Sequence, residues 1–165
     1  MKGLKIRLQG NPLEMRAFQA LGANPTTLDW NELYSGLQQG VVDGQENPFS
    51  LIAAMKFYEA QKYLTDTGHT FDFAVVVMNK KFFDGLPLEL QKAVSEAARK
   101  ATEEQRRLTE EANSKAAQTL KEKMQVVNLT DKERDLFRQA TRPAYDYARG
   151  KFGNEFVDRV IREAK

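Results

Sequence analysis

Cysteine is absent from the 165 residues, and histidine and tryptophan occur once each. No apolar run approaches the roughly 20 residues that span a bilayer. The missing cysteine excludes disulfides, thiol nucleophiles and thiolate metal sites, and it is compatible with an oxidising compartment. A lone histidine, His69, leaves too few nitrogen ligands for a metal centre unless carboxylates supply the rest. Glycine-rich phosphate loops and basic–aromatic stripes for nucleic acid are missing. An excess of one charge is missing too. The 25 lysines and arginines oppose 23 acidic residues for a net charge of +2, which does not argue for nucleic acid. Behind Met1-Lys2-Gly3 there is no apolar core of a signal peptide, so an export signal, if the protein has one, is expected outside these residues.

The composition that remains is 29% charged and 41% hydrophobic, a soluble globular mix. The length suffices to bury a sizeable core. Residues 4–8 alternate as a strand. Pro12 to Leu21 read as a helix with Leu13, Phe18 and Leu21 inward, stopped by Gly22. Asn24-Pro25 reads as a turn and Thr26 to Leu28 as a short strand. Asp29 caps a helix from Trp30 to Gln39 with Trp30, Leu33, Tyr34 and Leu37 on its apolar face. Gly40 ends that helix, and Val41-Val42 reads as a two-residue strand. Pro48 opens a short helix to about Lys56.

Lys62 to Leu64 and Thr70 to Asn79 read as strands. The run Phe71 to Met78 is almost wholly apolar, so it is expected to be a central strand covered on both faces. From Pro87 to about Lys123 apolar residues recur three or four apart, from Leu90 to Leu120 and on to Met124. That predicts one helix of ~54 Å, too long to be covered by one compact lobe of this size. A strand at Gln125 to Asn128 follows. Thr130 and Glu133 form a capping box for a helix from Asp131 to about Arg149. Gly150 and Gly153 separate it from a last helix, Glu155 to Ala164.

The segment Gly40-Val41-Val42-Asp43-Gly44-Gln45-Glu46-Asn47-Pro48 places three polar heads in a turn shaped by two glycines and a proline. An arginine, Arg7, stands inside the apolar strand Leu4-Lys5-Ile6-Arg7-Leu8. Five blocks then occur in order: Gly3 to Arg7, Ala20 to Thr26, Glu32 to Gly40, Val42 to Pro48, and Lys56 to Glu59. Together they resemble the second half of the solute-binding protein of a tripartite ATP-independent periplasmic (TRAP) transporter, of the dicarboxylate-binding DctP type. Thr27 stands where a proline is frequent in that family, and Trp30 where a phenylalanine would also serve.

The resemblance implies an α/β fold. Residues 1–80 would form a ligand-binding lobe of a periplasmic binding protein-like fold. Residues 81–165 would be a long spine helix with returning C-terminal helices. It implies capture of a small organic acid by its carboxylate in the periplasm, delivery to TRAP membrane subunits, no cofactor and no catalysis. Arg7 aligns with the family arginine that clamps the ligand carboxylate, and its planar fork suits that task. Asn47 aligns with an asparagine that touches the same carboxylate. Trp30 sits where the family places an aromatic over the ligand. Tyr34, Gln45 and Glu46 are expected to support these from behind, with Glu46 turned away or paired. The family's other ligand-contacting arginine is expected outside these residues.

Taken singly, each residue also has a plainer reading. Arg7 reads as an outward arginine on an edge strand, Asn47 as a common residue before proline, and Trp30 as core. His69 reads as a hydrogen-bonded structural histidine. Two other functions stay open. One is an interaction module in which the helix of residues 88–123 bundles with copies of itself. The other is a small hydrolase using Asp43, Glu46 or His69. On its own the chain is expected to bind its acid poorly and to form homo-oligomers that cover Leu90 to Met124 and Phe71 to Met78.

Overall fold

A computed structural model describes residues 1–163. The first half is a three-stranded parallel sheet. Its strands are β1 (Lys5–Leu8), β2 (Asn24–Thr27) and β3 (Gly44–Gln45), in the order β2-β1-β3. Helix α1 (Pro12–Ala20) joins β1 to β2, and α2 (Trp30–Gln38) joins β2 to β3. Asn11 caps α1 by accepting from Leu13 N at 2.9 Å, and Gly22, at φ +81°, turns the chain out of it. Asp29 caps α2 by accepting from Asn31 N at 2.9 Å. Alternation along β1 sends Ile6 and Leu8 to one face, where they pack with Phe18 and Ala23. It sends Arg7 to the opposite face.

A second core gathers Leu33, Leu37, Val42, Ile52, Phe57, Leu64, Leu120 and Met124. It is closed by α3 (Phe49–Ala54), a 3-10 turn at Phe57–Glu59, and a two-stranded parallel sheet of β4 (Tyr63–Asp66) with β5 (Gln125–Asn128). Between those strands run the short α4 (Lys80–Asp84) and the 36-residue α5 (Leu88–Lys123). Helix α5 buries only Ala116 and Leu120, near its C-terminal end, while Leu90 and Leu108 stay about half exposed at 50% and 49%. Then come α6 (Asp131–Ala140), α7 (Arg142–Phe152) and α8 (Asn154–Glu163), with α7 lying on α1. The Thr130–Glu133 capping box is formed in both directions.

Five expectations need correction. Asn24-Pro25 is the start of β2 and not a turn; proline is tolerated there because β2 is an edge strand. Val41-Val42 is not a strand: Val42 plunges into the core, and pairing with β1 begins only at Gly44. The helix opened by Pro48 ends at Ala54, and Lys56, at φ +54°, turns the chain into the 3-10 turn.

The helix from Asp131 is two helices. Pro143 supplies no N–H for the helical bond back to Gln139, and Thr141 takes φ −84°, ψ 2° at the break. Lastly, Phe71 to Met78 is no strand. The run is apolar, but a strand needs a neighbour, and among the described residues none pairs with it. Phe73 and Val77 are each 82% exposed. The short α4 was not anticipated, and Ala164, at the end of the expected last helix, lies outside the described residues.

Candidate functional site

Because β1, β2 and β3 run parallel, their carboxyl ends share one edge of the sheet. That edge is where open α/β sheets bind ligands. Arg7 is one residue from the end of β1, Trp30 opens α2 just beyond β2, and Gln45 closes β3 with Asn47 two residues on.

Among the described residues, Arg7 is the charged residue that is buried, 4% exposed. Its Nε donates to the Leu28 backbone carbonyl at 3.0 Å, while Nη1 is buried with no hydrogen-bond partner. Among the described residues no carboxylate lies within ion-pairing distance of it. A buried ion without a counter-charge carries a penalty of several kcal/mol, and an anion at Nη1 would relieve it. The guanidinium carbon lies 5.8 Å from the centre of the Trp30 ring, and the same ring meets Phe57 edge-on at 5.9 Å. Trp30 thus belongs both to the core and to the arginine's surroundings.

In register, Arg7 pairs with Gln45 across β1 and β3. Asn47 Nδ2 donates to Gln45 Oε1 at 2.5 Å, and both side chains are partly buried.

The other sequence candidates have other partners. Tyr34 donates its hydroxyl to Glu59 at 2.7 Å, a bond that raises the phenol's pKa. Asp43 ties its turn to the start of β1. It accepts from Lys5 N at 2.8 Å through its carboxylate, and its own N–H donates to Lys5 O at 2.8 Å. Glu46 faces His69 at 3.6 Å, and His69 Nδ1 lies 2.7 Å from Thr67 Oγ1 with its ring edge-on to Phe18. Asp43 and Glu46 therefore serve different partners.

Sequence reasoning passed over two polar groups. One is the Leu28 carbonyl, a backbone group with no side-chain signal. The other is Glu14, whose Oε2 is buried without a partner. Burial, then the nearby Glu46 and Asp72 carboxylates, raise its pKa, partly opposed by His69 and by a bond from Asn11. In sequence it reads merely as an acid in the first turn of a helix. A cavity of about 600 Å³, lined among others by Glu14, Phe18, His69, Arg134 and Tyr145, opens beside it and does not include Arg7 or Asn47. The buried, unpartnered Arg7 Nη1 lies outside this hollow.

The family model described as bacterial extracellular solute-binding protein, family 7 (DctP) matches residues 1–151. The chain belongs to that family. It is 39% identical over 140 residues to the 2,3-diketo-L-gulonate-binding periplasmic protein of Escherichia coli (strain K12), covering 85% of this chain and 42% of the relative. A TRAP periplasmic solute-binding protein from Ochrobactrum anthropi, solved with its C-terminus bound in the ligand-binding pocket, is 41% identical. It superposes with a TM-score of 0.89 over 98% of this chain and 51% of its own. One from Ralstonia eutropha H16, solved with bound (S)-2-hydroxy-2-methyl-3-oxobutanoate, is 34% identical. Its TM-score is 0.86 over 96% of this chain and 52% of its own. The chain thus spans about half the length of the family members it matches, and its α/β architecture is theirs.

Proposed function

We propose that the protein carrying this chain captures a small organic acid by its carboxylate and delivers it to TRAP membrane subunits from the periplasm. The observation that carries this reading is Arg7, buried, held by Leu28 and unpaired at Nη1. A carboxylate oxygen on Nη1 supplies the missing counter-charge through a charge-assisted bond. Trp30 excludes water beside it, which strengthens the pairing, and Asn47 donates to an oxygen that Arg7 does not satisfy. Support comes from relatives whose names state that they bind a sugar acid or a hydroxy-oxo acid. The role is capture without chemistry, with residues 1–80 carrying the site and 81–165 bracing it. Isolated, this chain covers Phe71 to Met78 by self-association.

The test is calorimetry of the full-length protein with small organic acids and their uncharged amides. Micromolar or tighter binding of an acid, with its amide at least a hundredfold weaker, supports the reading. Equal affinity for acid and amide overturns it.

A further inference from the structure

Parallel pairing of Arg7 with Gln45 puts their side chains on the same face of the sheet. Asn47 precedes Pro48, which holds it extended, so two residues on from Gln45 it returns to that side. Its Nδ2 then reaches Gln45 Oε1 at 2.5 Å. An asparagine amide has two N–H donors and one carbonyl oxygen. Gln45 Oε1 occupies one of those donors. What remains free of protein partners among the described residues is one N–H and Oδ1, side by side. Gln45 Oε1 already accepts one N–H, so Asn47 Oδ1 is the amide oxygen of this pair with both lone pairs free of protein partners among the described residues.

We propose that Gln45 is a positioning residue. By holding the Asn47 amide in one orientation, it makes the site prefer acids with a hydroxyl on the carbon next to the carboxylate. The inference rests on the reading of Arg7 as the carboxylate clamp. Neighbouring strands lie about 4.8 Å apart, so an acid held on Arg7 has the carbon next to its carboxylate within reach of the β3 end. A hydroxyl there donates to Asn47 Oδ1 while the remaining N–H reaches an oxygen of the acid. An acid with only hydrogen at that carbon leaves Oδ1 without its partner, and discrimination by unpaired polar groups is the strong kind.

Calorimetry of the full-length protein tests this with three pairs: 2-hydroxybutanoate against butanoate, D-erythronate against 3,4-dihydroxybutanoate, and malate against succinate. In any pair that binds, the hydroxy acid should bind at least tenfold tighter. Gln45→Met removes the acceptor, frees the amide to turn, and should reduce that ratio below threefold while the melting temperature stays within a few degrees. Gln45→Glu keeps an acceptor and can only hold Asn47 in the same orientation. It should preserve the tenfold ratio while its negative charge weakens both acids of a pair together.

A wild-type ratio below threefold, a ratio unchanged in Gln45→Met, or a ratio lost in Gln45→Glu would overturn the inference and leave the clamp standing. Failure of every acid to bind the wild type would remove the clamp and this proposal together.

Discussion

Arg7 hangs from Leu28: its Nε donates to the Leu28 carbonyl at 3.0 Å, across 21 positions of sequence. The bond occupies the one guanidinium nitrogen that faces back along the side chain and leaves the outer pair for an incoming oxygen. Trp30 follows Leu28 by two residues, so one loop sets both the arginine's direction and its aromatic cover. From this geometry the first prediction follows. Arg7→Lys keeps the charge but loses both the Leu28 tether and the planar fork. A bond to a charged group contributes about 1.5–3 kcal/mol, so carboxylate affinity in the full-length protein should fall tenfold or more. Calorimetry showing less than a threefold loss would take Arg7 out of the site.

Trp30 is the sole tryptophan, so its emission reports one place. Its ring neighbours both Phe57 and Arg7. An acid docking on Arg7 changes the charge and the water near the ring. Its fluorescence should shift on saturation, in proportion to calorimetric occupancy. An unmoved spectrum at saturation would assign Trp30 to the core alone.

Glu14 sets a pH dependence whose sign can be worked out. Its pKa is raised in the folded state, chiefly by burial and then by Glu46 and Asp72. Between the unfolded and folded values the native state holds the extra proton, so this group's contribution falls as pH rises through that window. Above the folded value its ionised form opposes folding. Glu14→Gln should therefore raise the melting temperature at neutral pH, and the difference should vanish as pH falls below the ordinary carboxylate range. A variant less stable than the parent at neutral pH would mean that the Glu14 charge is stabilising.

Helix α5 should be unequal along its length. Leu120 is fully buried against α3 and the β4–β5 sheet, whereas Leu108 is half exposed. Leu120→Ala should cost about 2–5 kcal/mol, and Leu108→Ala within about 0.5 kcal/mol. Denaturant unfolding of the two variants in this chain measures both. Comparable losses would mean that the first two thirds of α5 is covered, as a self-associated chain would cover it.

Local signals in the sequence were read well where local physics decides. The Asp29 cap, the Thr130–Glu133 box and the three-to-four spacing of Leu90 to Leu120 depend on neighbours within a turn or two, and all three elements form. Reading failed where distant partners decide. Phe71 to Met78 has the composition of a central strand and no strand beside it. Val41-Val42 has strand propensity, but the core takes Val42 before pairing can begin. Arg7 and Asn47 were legible only as residue types in family blocks, and Trp30 only as the sole tryptophan at a position where the family has an aromatic. That their elements end on one edge of a parallel sheet, and that Leu28 and Gln45 hold two of them, needed the fold.

The most direct test of the central claim is a crystal structure of the full-length protein with a bound acid. A carboxylate oxygen should lie within about 3.2 Å of Arg7 Nη1, with the Arg7–Leu28 bond kept and the Trp30 ring alongside. An acid seated elsewhere, with Arg7 Nη1 still unpartnered, would contradict the account.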